Sequence, residues 1–492
     1  MSLAHDIQIT LLAYTHDHQA YPKPTSPKTE PKGNKNNGQG TPMATNGSSA
    51  PFETLKRFVI ASLVSVCGLC LATEKAAVCA HGQWESQECT EVSDLKGFKP
   101  VGEVKLGNYG GWLERKEQAT GFFHTAQING RWWLVDPKGY LFLCVGVNSV
   151  NPALPSAKRA QDKKAAATGT VSADRLKWAG QTLAMLREHG FNMLGCWSDT
   201  DAVRKLSQPM PYCLRWGFMG TYRQSRKLKY PETGKIEAIY PFDPEFERFC
   251  DEHAKGLAET RNDPWLLGHF SDNELPFHES GIVQRYLSHP PDDPCHEAAA
   301  RFMASRKSGK PGKDDDRAFL QLTVNEYYRK VAAAIRKHDP NHLFLGSRFH
   351  GQALASPALF AGAGSHADII SVNYYNRWTP ENDRISNWAK LAGKPILITE
   401  WYAQAADSGL PNNTGAGFHV ETQSDRAKFY QHFTLTLLQN PACVGWHWFK
   451  YRDGSSNNPG IVNANDEPYA PLLKAMKEIN TQVYPLTQLP GR

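Results

Sequence analysis

Two glutamates frame the chemistry open to this chain. Glu274 closes the segment Ser271-Asp272-Asn273-Glu274, and Glu400 ends Pro395-Ile396-Leu397-Ile398-Thr399-Glu400, each just past a short apolar run. Cleavage of a glycosidic bond through a covalent intermediate needs such a pair about 5–5.5 Å apart, one carboxyl group to protonate the leaving oxygen and one to attack the anomeric carbon. The two must also titrate differently, the acid held protonated and the nucleophile kept ionised by hydrogen bonds. Tyr374 or Tyr375 could give such a bond to Glu400, and Asn273 could hold a sugar 2-hydroxyl. A lone glutamate after a strand is more often a solvated loop residue or the partner of an Arg or Lys. Two at matching places in a repeating pattern favour chemistry.

The aromatic residues near these segments suit a sugar. Trp197, Trp401 and Trp448 follow or end apolar runs, and flat rings offer broad contact to the C–H faces of pyranoses at small entropic cost. Strand alternation puts Trp446 on the same side as Trp448, with His447 on the other, and leaves Trp446 open between substrate contact and core. His350 and Arg348 could orient substrate or pair with a carboxylate, and a satisfied structural histidine is the alternative at 350. The 18 histidines include no H-E-x-x-H pair, and no G-x-S-x-G elbow is present. No metal or cofactor is expected. The alternative class is a non-catalytic carbohydrate-binding barrel, which would keep the aromatics and lose a carboxylate.

For the two glutamates to meet, parallel strands must end on one rim. β-rich text at 132–135 and 140–147 is separated by the turn Asp136-Pro137-Lys138-Gly139, and the second run is taken as the first barrel strand. Amphipathic helical stretches then alternate with short apolar runs, the pattern of a parallel sheet with crossover helices. Further strands are expected at 192–196, 212–216, 266–270, 343–347, 368–372, 396–399 and 444–448. Helices are expected at 174–189, 245–259, 323–337 and 469–479, and 288–316 reads as an insertion. Eight strands favour a (β/α)8 TIM barrel of the α/β class over an open doubly wound sheet, and no Gly-rich dinucleotide fingerprint follows strand one. Barrel active sites lie at the C-terminal ends of the strands. Glu274 and Glu400 fall there, on strands four and seven.

At 492 residues, 40% hydrophobic and 21% charged, the chain has the composition of a soluble globular protein with room for one elaborated barrel. The net charge of +6 is modest, and Lys23, Lys28, Lys32 and Lys35 sit in a Pro- and Asn-rich tail, so no nucleic-acid footprint is read. Residues 1–42 read as a disordered tail or a mis-annotated start. Residues 43–80 read as a signal peptide, with Lys56-Arg57, an apolar run over 58–72 and Val78-Cys79-Ala80 at the cleavage site. The apolar run is shorter than the roughly 20 residues of a spanning helix, so a membrane anchor is the lesser alternative and a secreted or periplasmic location is expected. Residues 81–130 form a short β-rich N-terminal decoration at the base or side of the barrel, and 131–485 the barrel. Of the 10 cysteines, those outside the leader show no C-x-x-C or zinc-ligand spacing.

Asn273-Glu274 after strand four and Thr399-Glu400 after strand seven resemble the acid/base and nucleophile signatures of the retaining clan A glycoside hydrolases. More specifically, the segments 129–137 (NGRWWLVDP), 272–276 (DNELP) and 444–449 (VGWHWF) are similar to bacterial agarases. The resemblance implies Glu274 as acid/base, Glu400 as nucleophile, and as ligand a galactose-rich polysaccharide or oligosaccharide cut at β-linkages; the alternative is a clan A glycosidase on another β-glycan, a mannan, glucan or β-galactoside.

Overall fold

The computed structural model describes residues 74–80, 82–153, 170–226, 239–306 and 309–489. The tail and most of the leader lie outside the described residues. The leader's last residues are described, and they form strand β1 (Lys75–Ala80), paired antiparallel along its whole length with β2 (Gln83–Glu88). Ala76 and Val78 are buried. The cleavage point expected after Ala80 thus falls at the end of a folded strand.

A second small sheet follows: β3 (Trp112–Lys116), β4 (His124–Ile128), β5 (Arg131–Val135) and β6 (Tyr140–Phe142), ordered β3-β6-β5-β4. β4 and β5 make a hairpin across Asn129-Gly130, both with positive φ of 50° and 79°, the backbone that a two-residue primed turn demands and that Asn-Gly supplies at least cost. The turn expected at Asp136–Gly139 is present, with Gly139 N–H donating to Asp136 O (2.8 Å).

The run 140–147, read as one strand, is two. Its first part is β6; after Leu143 the chain enters β7 (Cys144–Val147), the first barrel strand. The barrel continues with β8 (Met193–Leu194), β9 (Tyr212–Arg215), β10 (Leu266–Phe270), β11 (Leu343–Gly346), β12 (Ile370–Asn373) and β13 (Ile396–Glu400). After β14 (Ala403–Ala405) and β15 (Phe418–Val420), which complete a sheet ordered β14-β15-β1-β2, it ends with β16 (Cys443–Trp448). The eight strands are parallel neighbours in the order β11-β10-β9-β8-β7-β16-β13-β12. β11 and β12 then meet through Phe349, whose N–H donates to Ser371 O (2.9 Å) and whose carbonyl accepts from Asn373 N–H (2.8 Å). This is the parallel, barrel-like α/β sheet that the strand-helix rhythm implied.

Helices link the strands, among them Ala173–Glu188, Lys313–His338, Asn382–Ala392, Gln423–Gln439 and Ala470–Asn480. The stretch read as an insertion is largely helical. Asp293 caps a helix over Pro294–Ala304 with proline in its first turn, and Lys313–His338 starts ten residues earlier than expected, with Asp314, Asp315 and Asp316 at its positive N-terminal end. Inside the barrel, Cys144, Met193, Leu267, Leu345, Leu397 and Val444 form one buried cluster that continues into Leu134 and Phe142 of the second sheet. Trp132 N–H of that sheet donates to Pro441 O just before β16 (2.7 Å). The second sheet therefore plugs the end where the strands begin, and the site is left to the opposite rim.

Candidate active site

Each carboxylate is delivered by a strand end whose neighbours are pinned. Below Glu274, the buried Asp272 carboxylate accepts from Met219 N–H (2.9 Å), Gly220 N–H (3.1 Å) and the Tyr327 hydroxyl (2.5 Å). Glu274 has a positive φ of 54°, and its N–H donates to Ser347 O and Arg348 O, both at 3.2 Å. Ser149, Trp197, Arg348 and Asn376 share this left-handed backbone, with φ of 58°, 62°, 53° and 59°. All lie just past barrel strands. Such conformations cost about 1–3 kcal/mol each in non-glycine residues and concentrate at functional sites, where surrounding structure over-determines them.

Glu400 ends β13. Its Oε1 lies 2.8 Å from Arg348 Nη2, and its Oε2 accepts from the Tyr375 hydroxyl at 2.5 Å. The Glu274 side chain keeps 28% of its surface exposed against 7% for Glu400, so Glu274 is the one within reach from the open rim. A polar lattice joins them. Arg348 donates from Nη1 to Asn273 Oδ1 (3.1 Å) and from Nη2 to Thr399 O (2.9 Å). Asn373 Nδ2 donates to Glu274 Oε1 (2.7 Å) and Asn273 Oδ1 (3.3 Å), while its Oδ1 accepts from Thr399 Oγ1 (2.8 Å). Asn148 Nδ2 also donates to Thr399 O (2.8 Å). His350 Nδ1 stands 3.6 Å from Glu274 Oε1.

Burial pushes the Glu400 carboxyl up to about 7; Arg348 works against that rise, the Glu274 charge adds to it, and Tyr375 opposes it. Deeper in the barrel, burial lowers the His447 ring to about 3, with Arg348 adding to the effect, so this histidine is neutral. It fits only because its neighbours are glycines. A Cβ on Gly146 would lie 2.4 Å from His447 Cδ2, and one on Gly195 would lie 2.9 Å from His447 Nδ1.

The structure sorts the expected site residues by strand parity. Tyr375, Asn273 and His350 stand around the two glutamates. Trp197 is half-buried at the rim, with the Arg348 guanidinium 4.6 Å and that of Arg215 5.7 Å from its ring centroid and the edge of Phe449 at 6.2 Å. Tyr374 points the other way, its hydroxyl donating to Glu381 Oε2 (2.8 Å). The substrate contacts expected of Trp401 and Trp448 are corrected as well. Trp401 is 1% exposed and stacks on Phe433 at 4.1 Å and 8°. Trp448 is fully buried and donates from its indole to Pro459 O (2.8 Å), and Trp446 donates to the Tyr430 hydroxyl (3.2 Å). Glu400 and His447 face the barrel axis, and Trp401, Trp446 and Trp448 beside them face the helix Gln423–Gln439. The alternation is interrupted once, between Ile398 and Glu400, where the register of β13 against β12 shifts and Thr399 also turns inward to Asn373. No ring face of Trp401 or Trp448 is left for a sugar.

Asn373 and Asn148 are the partners missing from the expected set; Arg348, expected to orient substrate or pair with a carboxylate, pairs with Glu400. The signal for Asn373 was its parity with Tyr375, two residues on. Among the described residues, one His/Asp group converges, His269, Asp339 and His342. Every ring nitrogen there is engaged: His269 with Trp216 Nε1 and Asp339, His342 with Asp339 and Asp263 O. These bonds account for the cluster as a structural one.

No family model matches the chain. Beta-agarase B of Vibrio sp. (strain JT0107) is 28% identical over 82% of this chain and 54% of its own length. Beta-agarase A of the same organism is 26% identical over 62% of this chain and 36% of its own. The chain spans about half, or less, of the length of these curated relatives. The crystal structure of BpGH50 is 30% identical, with a TM-score of 0.75 over 84% of this chain and 94% of that one.

Proposed function

The chain belongs to the glycoside hydrolase family GH50, and from that premise we propose that it hydrolyses β-linkages of agar-type, galactose-containing polysaccharide or oligosaccharide by retaining double displacement. Glu274 is the acid/base and Glu400 the nucleophile. The observation that carries the reading is the unequal setting of the two carboxyl groups: one reachable from the rim, the other clamped between a guanidinium and a phenol. The β-agarases among its relatives support the substrate class.

In the first step Glu274 gives its proton to the glycosidic oxygen as Glu400 Oε1 or Oε2 attacks the anomeric carbon. The C–O bond to the leaving sugar breaks and a glycosyl ester on Glu400 forms. In the second, Glu274 takes a proton from water, whose oxygen displaces Glu400 and restores the configuration. Arg348 and Tyr375 hold the attacking carboxylate and stabilise it again as it departs. Asn273 uses its free amide hydrogens for the sugar 2-hydroxyl, and Trp197 and His350 contact the substrate at the rim. The protein acts outside the cytoplasm; among the described residues no helix is long and apolar enough to cross a membrane.

The test is sugar release from agarose, neoagaro-oligosaccharides, porphyran, β-mannan, β-glucan and aryl β-galactoside by wild type, Glu274→Gln and Glu400→Gln. Release from agar-type substrates that both substitutions remove is expected. Release only from another glycan overturns the substrate class. For the mechanism, a 2-deoxy-2-fluoro galactoside should leave a glycosyl adduct on Glu400 detectable by peptide mass spectrometry, and initial formation of the opposite anomer by NMR rules retention out.

A further inference from the structure

The lattice under the two glutamates decides which oxygen of Glu274 can carry a proton. Arg348 is a donor only, with no acceptor capacity, so the atom of Asn273 that meets its Nη1 at 3.1 Å is the amide oxygen. That oxygen lies 3.3 Å from the Asn373 side chain, so the Asn373 atom facing it is the nitrogen. Thr399 Oγ1 donates to the other end of the Asn373 amide at 2.8 Å, and Asn373 is completely buried, so the amide is held in this sense. Its nitrogen then donates to Glu274 Oε1 at 2.7 Å. His350 approaches the same oxygen. Among the described residues, Glu274 Oε2 has no protein partner.

We propose that Asn373 is a positioning residue that reserves Glu274 Oε1 as an acceptor and so confines the transferable proton to Oε2, the oxygen turned toward the glycosidic bond. An oxygen that accepts an N–H bond at 2.7 Å cannot also present a proton along that line. The acid form of Glu274 therefore keeps its hydrogen on Oε2 through protonation of the leaving oxygen, and Oε2 is again the atom that takes the proton from water. The inference rests on the acid/base assignment of Glu274.

The experiment compares kcat/KM, which reports steps up to the covalent intermediate, on a neoagaro-oligosaccharide and on a 2,4-dinitrophenyl β-galactoside. The first leaving group needs protonation and the second does not. Asn373→Asp keeps the shape and the acceptor for Thr399 but loses the donor, and Asn373→Ser is the second variant should the first fail to melt like wild type. Loss of about 100-fold on the oligosaccharide, at the low end of what general acid catalysis supplies, with a change under about 3-fold on the dinitrophenyl substrate, is the expected result. Equal losses on both substrates overturn the proposal and make Asn373 merely structural. Glu274→Gln is the control: if it shows no leaving-group dependence, the acid/base reading itself is wrong and the inference falls with it.

Discussion

Along β12, β13 and β16, two layers of side chains share the same few residues of backbone. The inner layer, Asn373, Tyr375, Glu400 and His447, is polar, with the first three joined by hydrogen bonds to the two glutamates' network and His447 meeting Cys144 Sγ through Nε2. The outer layer, Tyr374, Trp401, Trp446 and Trp448, is aromatic and locked against Tyr430 and Phe433 of the helix Gln423–Gln439. Adjacent positions therefore do opposite work. Trp401, next to the Glu400 carboxylate in the chain, is turned away from it in space.

Substitutions of neighbours should split accordingly. The largest effect belongs to the outer layer: Trp401→Ala should cost about 3–5 kcal/mol of stability, as for other buried tryptophans, whereas Trp197→Ala should leave the melting temperature within a few degrees and raise KM. Thermal melts and Michaelis curves on the two variants check this, and a stable Trp401→Ala protein with raised KM would reverse the layer assignment. Next comes the tyrosine pair. Tyr375→Phe removes a bond to a charged group, typically about 1.5–3 kcal/mol, so activity should drop about 10- to 100-fold with an unchanged melt; Tyr374→Phe should keep activity and lose about 1 kcal/mol of stability. The pH profile sharpens the same contrast. As the proposed nucleophile Glu400 must be ionised, so kcat/KM should fall as pH drops through about 7, and Tyr375→Phe should move that acid limb to higher pH while Tyr374→Phe leaves it in place. The smallest effect is expected from Thr399→Val, which removes one hydroxyl from Asn373 Oδ1 and should slow the reaction by only a few-fold in initial-rate assays.

The barrel was legible because its strands are short, apolar and regularly spaced. The fourth, 266–270, is found where expected, and the fifth to eighth begin or end within two residues of their expected bounds. Residues 140–147 misled because β-rich text does not say which sheet it joins: Leu141 pairs antiparallel with Trp112 and Val135, while Val147 pairs parallel with Trp448 and Leu194. Chemistry alone singled out the two glutamates as a candidate pair, while Tyr374 and Tyr375 stayed open until the structure set Tyr375 on Glu400 and Tyr374 on Glu381. The error over Trp401 and Trp448 came from reading residues near a strand end as all facing the rim, when parity continues through Glu400 to Trp401. The left-handed backbones of Trp197, Glu274 and Arg348 were not legible, since none is glycine and the conformation is imposed by the packing around them.

Strand β1 gives the segment after Glu400 a dependence on the far end of the chain. Val78 pairs with Val420, Glu421 N–H donates to Ala77 O (3.1 Å), and Ala77 N–H donates to Asp425 Oδ1 (3.2 Å) in the first turn of Gln423–Gln439. A protein trimmed to begin at residue 81 would leave β15 with an open edge, ready to recruit another chain. Recombinant boundaries drawn there invite aggregation, and those drawn at or before residue 74 keep the edge covered.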